Sequence, residues 1–433
     1  MECLLPLNGV QNLWLVFYRV LMTFLYGLAR LGSFFFRDPS FRERLGIYQE
    51  EDRQKISVGY NLWLHAASAG EVNAITPFCL ALRKAKPEAR IVLTTTSKTG
   101  KKIALETGMT DAVFLAPLDA GPALRRAFQV IRPVLVLVTE TEFWPNWLLR
   151  TAQNGISILL INGRISDRSF PSYKRLKPLF SPALNCFSAC LVQTQGDLEK
   201  LATLGVSQRR VEVVGQMKYD LSTPEASKVE TFKGTLGLGK NDVLFTLGSL
   251  REGEDDLLLP LVPEILRLSP KVRILIAPRH LKNAELFREK LEKFGIPSVL
   301  RSSLANSTGR ERVVVLDTLG ELSLAYALSR AAFVGGTLVA VGGHNVMEPA
   351  LSSVPVCFGS YTQNVTEAAE ALVQSGGGFL AGDAAEIPRL FEKLMDEGFS
   401  KEAGRKAYQA VAAMRGVTEK TIEKVLAKWP INP

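Results

Sequence analysis

Past Gly46 the chain consists of short, continuous apolar runs separated by helix-like segments, and this alternation restricts it to one fold class. In the first half the runs are Leu62–His65, Ile91–Thr94, Ala112–Leu115, Val134–Val138, Ile156–Ile161, Ala189–Val192 and Val211–Val214. Apolar runs that do not alternate with polar residues belong to strands covered on both faces, hence to parallel sheet flanked by helices. A second series follows: Val243–Leu247, Arg273–Ala277, Val313–Leu316, Ala332–Val334, Val354–Phe358 and Gly378–Leu380. Between the series, Leu221–Lys240 is rich in Ser, Thr, Pro, Gly and mixed charge, and reads as a linker. The expected fold is therefore α/β, with two doubly wound Rossmann-like domains at residues 46–225 and 226–433. The second carries a C-terminal helical stretch from Glu397 to the breaker Pro430. Ligands are expected at strand carboxyl ends and in the cleft between the domains.

Residues 1–45 are different in kind. From Leu13 to Phe36 the chain is apolar apart from Arg19, Arg30 and a few small or hydroxyl-bearing residues. As a helix the segment spans about 36 Å, against a hydrocarbon core of about 30 Å. Arg19 and Arg30 return to nearly the same helical face, so the segment either spans with snorkelling arginines or lies in the interface with both facing phosphates. A buried core helix is the third possibility. Arg37, Arg42 and Arg44 follow the segment, while Met1–Gln11 carries Glu2 and no Lys or Arg, which places the bulk of the protein on the cytoplasmic side. No small-residue cleavage site follows the apolar run, so a removed signal peptide is not expected.

The chain has 52 Lys and Arg against 43 Asp and Glu, a net charge of +9, which favours an acidic partner such as anionic lipid or a phosphorylated substrate. No basic stripe interleaved with aromatics supports nucleic-acid binding. Five cysteines and three histidines form no convincing zinc set, and Cys186 and Cys190 at helical spacing read as structural thiols.

The polar turns all fall where strands end. His65-Ala66-Ala67-Ser68-Ala69-Gly70-Glu71 opens a helix after the first run, with Glu71 in its first turn. There it serves either as a general base facing a cleft or as an offset to the helix dipole. His65 reads as a hydrogen-bonded structural residue. Glu140-Thr141-Glu142-Phe143-Trp144-Pro145-Asn146 occupies the same position after Val134–Val138. Its two carboxylates either hold a hydroxyl or cation or form a salt-bridged turn. Lys218, after Gly215, is a solvated lysine or a cation for developing phosphate charge.

In the second domain, Pro278-Arg279-His280 offers a guanidinium fork suited to phosphate. Gly248-Ser249-Leu250-Arg251 and Asp317-Thr318-Leu319-Gly320-Glu321 close strands in the same way. Gly342-Gly343-His344-Asn345-Val346-Met347-Glu348-Pro349 is a glycine-rich turn running into a helix. Free N–H groups at its start attract an anion, and Glu348 is placed to accept from a ribose diol. The phosphate loop Gly-x-x-x-x-Gly-Lys-Ser/Thr, the Gly-x-Ser-x-Gly elbow and an Asp-x-Asp pair are all missing from the sequence.

Together, His65-x-x-Ser68-x-Gly70-Glu71, Glu140-Thr141-Glu142-Phe143-Trp144-Pro145-Asn146, Gly215-x-x-Lys218, Pro278-Arg279-His280 and Gly342-Gly343-His344-Asn345-x-x-Glu348-Pro349 resemble the 3-deoxy-D-manno-octulosonic acid (Kdo) transferases. The likeness runs in order along the whole chain. It departs at Val346-Met347, where Pro-Leu is usual, and at Phe143, where Leu is usual; both are apolar exchanges. The resemblance implies a GT-B glycosyltransferase of lipopolysaccharide inner-core synthesis, taking Kdo from CMP-Kdo to a tetra-acylated lipid A precursor with inversion. It also implies Glu71 as general base, with Glu140 and Lys218 supporting the transition state. Pro278, Arg279, Leu319, Gly320, Glu321, Asn345, Val346, Met347 and Glu348 match CMP-binding stretches. No metal or other cofactor is implied, and the partners are donor, acceptor and the inner membrane. Two alternatives stand beside this reading: a GT-B enzyme using a UDP-sugar on a lipid-linked acceptor, and a membrane-tethered nucleotide-binding protein without catalysis. Glu71, Glu140 and Lys218 together argue against the latter, which needs only the second-domain set.

Overall fold

A computed structural model describes residues 8–35, 38–56, 59–220, 223–306 and 311–430. The first unit comprises Met1–Asp220 with Arg415–Pro433, and the second Leu221–Met414.

In the first unit the strands are β1 (Tyr60–His65), β2 (Ala89–Thr95), β3 (Ala112–Leu115), β4 (Pro133–Thr139), β5 (Ser157–Gly163), β6 (Ala189–Val192) and β7 (Val211–Val213). They form one parallel sheet in the order β3-β2-β1-β4-β5-β6-β7. Successive residues of β1 feed different cores: Leu62 and Leu64 pack with Phe78 and Leu137, whereas Trp63 packs with Phe114, Val136 and Trp147. Burial on both faces is what the unalternating run requires. The strand order reverses between β1 and β4, so their carboxyl ends open the crevice where a doubly wound sheet takes its ligand.

The second unit repeats the plan with β8 (Val243–Leu250), β9 (Val272–Pro278), β10 (Ser298–Leu300), β11 (Val313–Val315), β12 (Ser329–Val334), β13 (Val356–Phe358) and β14 (Gly378–Leu380). The order is β10-β11-β9-β8-β12-β13-β14, again parallel, with the reversal between β8 and β12. The sequence reading lacks β10, a three-residue edge strand with no strong apolar run.

Two boundaries differ from expectation. Within the expected linker, Ala226–Thr235 is a helix whose Phe232 is buried against Leu244, Leu275 and Leu316 of the second unit. The C-terminal stretch is two helices, Glu397–Ala412 and Val417–Ala427, and the second packs on the first unit rather than staying with residues 226–433. Gly416 breaks the stretch at φ 87°, and the Asp220 carboxylate caps the new helix, accepting from Gly416 N (2.7 Å) and Val417 N (3.3 Å). Val417 and Val425 then join the core around Val72 and Met217.

The N-terminal helix, Gly9–Phe35, is the described helix long and apolar enough to cross a membrane. It has two apolar faces. Leu15, Met22 and Tyr26 are buried against the first unit, with Trp14, Tyr18 and Ala29 beside them. The Tyr18 hydroxyl donates to Asp119 Oδ2 (2.9 Å), and Arg126 donates to the Tyr26 hydroxyl (2.8 Å). Away from the domain, Leu13, Phe17, Val20, Phe24 and Leu31 are each 60% exposed or more. Arg19 lies near Asn146 Oδ1 (3.4 Å). Arg44 donates to the Thr96 carbonyl (2.7 Å), while Arg37 and Phe36 fall outside the described residues.

Candidate functional site

The carboxyl ends of β1 and β4 bring Glu71 and Glu140 together. Ser68 caps the helix Ala69–Ala85, its hydroxyl accepting from Glu71 N (3.3 Å). Glu71 bends back, so that Oε2 accepts from Ala67 N (3.0 Å) and lies 2.8 Å from Thr139 Oγ1. The buried Thr139 hydroxyl is also 2.9 Å from the His65 carbonyl and donates to one acceptor at a time. Glu71 is thus both a first-turn carboxylate of a capping arrangement and a side chain oriented from two strands.

Glu140 sits at the first turn after β4 with φ 49°, a left-handed conformation that costs a non-glycine residue about 1–2 kcal/mol. Its N–H bonds Ile161 O (3.3 Å), so the strain re-aims the side chain away from the regular strand path. Burial, and then the Glu71 charge, push its carboxyl up to about 7, against the pull of Arg164 and Lys218. The neighbouring Glu142 serves the turn itself: Trp144 Nε1 donates to Oε2 (2.8 Å), and His65 Nε2 is 3.5 Å from the same oxygen, near but without hydrogen-bond geometry. Burial raises the Glu142 carboxyl, but the His65 and Trp144 interactions outweigh it and leave it below the usual range. Of the two carboxylates, Glu142 is the paired turn residue and Glu140 faces the charge cluster.

His65 is 2% exposed, with Nδ1 2.9 Å from the Thr94 hydroxyl, consistent with a structural role. Lys218 is exposed in the short turn Met217–Tyr219, its ammonium 5.3 Å from the Tyr219 ring centroid. The turn is held by Asn162 at the end of β5, whose Oδ1 accepts from Met217 N (3.2 Å). Arg164 follows directly and was missed by sequence reasoning. Its signal was available: it is a cation immediately after the β5 run, the same strand-end rule that selected Glu140.

In the second unit, Leu250 and Pro278 are Cα partners on β8 and β9, and Arg279 N donates to Leu250 O (2.8 Å). Arg251 and Arg279 therefore leave adjacent strand ends side by side. Arg251 Nε donates to His344 Nε2 (3.0 Å), and its NH1 is 3.3 Å from His280 Nε2. Burial, then the charges of Arg251, Arg279 and His280, lower the His344 imidazole to about 4, so it stands as a neutral acceptor. Glu348 is raised by burial and drawn back by Arg279.

The glycine-rich turn is shaped from within. Glu254, fully buried, accepts four backbone N–H groups: Arg251 N (2.9 Å) and Gly336 N (2.7 Å) on Oε2, Thr337 N (3.0 Å) and Leu338 N (2.9 Å) on Oε1. Sequence reasoning missed this residue. Gly335 lets the turn pass: a Cβ there would lie 2.5 Å from Ser249 O.

The side chains of Val346 and Met347 are fully buried in the core, so a ligand meets only backbone at these two positions. The helix after them, Met347–Leu351, is a single short turn, and Met347 N is bonded to Asn345 Oδ1 (3.0 Å) rather than left open for an anion. Glu321 pairs with Arg301 (2.7 Å) and with the Thr318 hydroxyl. Gly320 turns at φ 82°, which leaves Leu319 85% exposed. Pro278 is buried at the strand end and Arg279 is exposed.

Two parallel α/β units with polar groups gathered at both strand-order reversals are the framework of GT-B-like glycosyltransferases. The chain is similar in fold to a putative UDP-N-acetylglucosamine 2-epimerase from Listeria monocytogenes, with a TM-score of 0.56 at 16% identity over 87% of this chain and 98% of that one. In sequence, the family model described as 3-Deoxy-D-manno-octulosonic-acid transferase (kdotransferase) matches residues 39–221. The 3-deoxy-D-manno-octulosonic acid transferase of Haemophilus influenzae is 30% identical over 421 residues, covering 95% of this chain and 98% of that relative. A bifunctional glycosyltransferase/methyltransferase of Fusobacterium nucleatum is also 30% identical, over 393 residues; this chain aligns with 60% of its length. The chain belongs to the Kdo transferase family and is a glycosyltransferase.

Proposed function

We propose that this protein transfers Kdo from CMP-Kdo to the tetra-acylated lipid A precursor (lipid IVA), with inversion and with Glu71 as general base. The observation that carries the reading is the meeting of Glu71 and Glu140 at the strand-order reversal of the first unit, under the charges of Arg164 and Lys218. In an inverting displacement the acceptor oxygen bonds to the anomeric carbon as the carbon–phosphate oxygen bond breaks, and the hydroxyl proton goes to a base. Glu71 takes that proton. Glu140, when ionised, stabilises positive charge developing at the sugar, and Lys218 stabilises negative charge on the departing phosphate. Arg279 holds the phosphate of CMP, Glu348 accepts from its ribose, and backbone at Gly320 and at Asn345–Met347 borders the nucleotide.

The acceptor is an acylated phosphoglycolipid, and the outer face of the N-terminal helix suits that environment. A helix packed on its own domain from Leu15 to Ala29 cannot be lipid-surrounded over that length, so it lies in the interface of the inner membrane on the cytoplasmic side. Arg42 then lies near anionic headgroups.

The test is a transfer assay on full-length protein with CMP-Kdo and lipid IVA, products resolved by mass. Mass gains in Kdo-sized steps are expected, with Glu71→Ala abolishing transfer and leaving CMP affinity intact. Normal turnover by that variant removes Glu71 from the mechanism, and folded, CMP-binding protein that makes no product overturns the substrate assignment.

A further inference from the structure

We propose that Arg251, oriented by His344 and His280, binds the carboxylate of the sugar donor, forming a second anion subsite beside the phosphate-facing Arg279. This rests on the CMP-Kdo reading above. Among the described residues, neither guanidinium has a carboxylate within ion-pair distance, although they leave neighbouring strand ends linked by the Arg279 N to Leu250 O bond. Adjacent strands run about 4.8 Å apart, and the charges of Arg251 and Arg279 both act on the His344 imidazole, so the two cations share one neighbourhood. Glu348 lies within the field of Arg279 but forms no ion pair with it, and two cations in one neighbourhood are a favourable host for a further anion.

The partners of Arg251 are chosen for direction rather than for charge. His344 accepts from Nε at 3.0 Å and His280 faces NH1 at 3.3 Å, and a neutral imidazole accepts a hydrogen bond without cancelling the guanidinium charge. The backbone of Arg251 is fixed as well, its N–H bound by the buried Glu254. A fork held at both ends, with its charge retained, is suited to a planar carboxylate.

The chemistry of the donor supplies the matching pair. A 2-ulosonic acid carries its carboxyl directly on the keto carbon, and that keto carbon becomes the anomeric centre esterified to phosphate. Carboxylate and phosphate therefore hang from the same carbon. Two guanidiniums on adjacent strand ends meet two anions one carbon apart, and free CMP offers only one of them. Arg251 thus distinguishes the donor from the spent nucleotide.

The experiment compares Arg251→Ala and Arg251→Lys with wild type in the full chain, measuring equilibrium binding of CMP-Kdo and of CMP. Loss of one charge-assisted contact predicts about tenfold weaker CMP-Kdo binding in Arg251→Ala and a several-fold loss in Arg251→Lys, with CMP affinity within about twofold of wild type. Retained CMP binding also shows that the second unit is folded. Equal losses for both ligands make Arg251 a phosphate or structural residue and overturn the proposal, as does unchanged CMP-Kdo affinity. Wild-type protein that binds CMP-Kdo no more tightly than CMP fails the donor reading itself, before any variant is considered.

Discussion

Thr139 Oγ1 lies 2.8 Å from Glu71 Oε2, so a side chain ending β4 reaches the carboxylate that opens the helix after β1. Together with the Ala67 N–H on the same oxygen, this link fixes a first-turn glutamate. Thr139→Val keeps the shape and removes the hydroxyl. Expected is a fall in kcat of about tenfold with the KM for the donor unchanged, and a stability loss of about 1 kcal/mol. Steady-state kinetics with chemical denaturation check it; an unaltered kcat shows that Glu71 is placed by Ser68 and Ala67 alone.

Glu140 makes stability depend on pH in a direction set by its environment. Its folded carboxyl titrates near 7 against an ordinary 4.5, because it is buried and faces Glu71. The folded protein therefore binds this proton more tightly than the unfolded chain, and the contribution is complete below pH 4.5 and lost as pH rises through 7. Glu140→Gln lacks that dependence. Its stability relative to wild type should improve by up to about 3 kcal/mol between pH 4.5 and 8. Parallel unfolding curves for the two proteins across that range exclude the assigned environment.

The sequence made both sheets legible because strands buried on two faces leave continuous apolar runs; the first six strands of the first unit carry one, while the edge strand Val211–Val213 is interrupted by Glu212 and largely exposed. Ser298–Leu300, only partly buried at the sheet edge, carries no such run. The linker reading of Leu221–Lys240 failed at Phe232, since one apolar residue among polar ones gives no periodicity although it fills a core position. Motifs singled out Glu71, Glu140 and Arg279 by residue type after apolar runs, and the structure puts all three just past strand ends. They could not show that Glu142 is taken by Trp144, or that Val346 and Met347 point inward, as both facts belong to tertiary packing. Glu254 was beyond reach for the same reason: its four donors lie as far as 84 residues along the chain.

The N-terminal helix is part of the first unit's core, so its removal should destabilise that unit. Deleting residues 1–35 uncovers Leu45, Ala120 and Ala123 and deprives the buried Asp119 of the Tyr18 hydroxyl. Lost burial of Leu15, Met22 and Tyr26 amounts to roughly 5 kcal/mol, or a fall in Tm of about 10 °C or more. Tyr18→Phe should cost about 1–2 kcal/mol by itself. A truncated protein that melts with the full chain would identify the helix as a detachable anchor.

Glu254→Gln tests whether the glycine-rich turn is held from behind. The carboxylate accepts four N–H groups with two oxygens, and an amide has only one oxygen to offer. The pair of donors facing its NH2 group is left unsatisfied in a buried place, at about 1–3 kcal/mol for each. The second unit should therefore lose roughly 3–5 kcal/mol, and CMP affinity should fall because the turn from Gly336 that leads to Asn345–Glu348 is no longer fixed. Arg251→Ala, by contrast, keeps the backbone N–H that Glu254 accepts and should leave the melting of that unit unchanged. If Glu254→Gln melts like wild type, the buried carboxylate does not hold the turn, and the shape of the glycine-rich turn has another source.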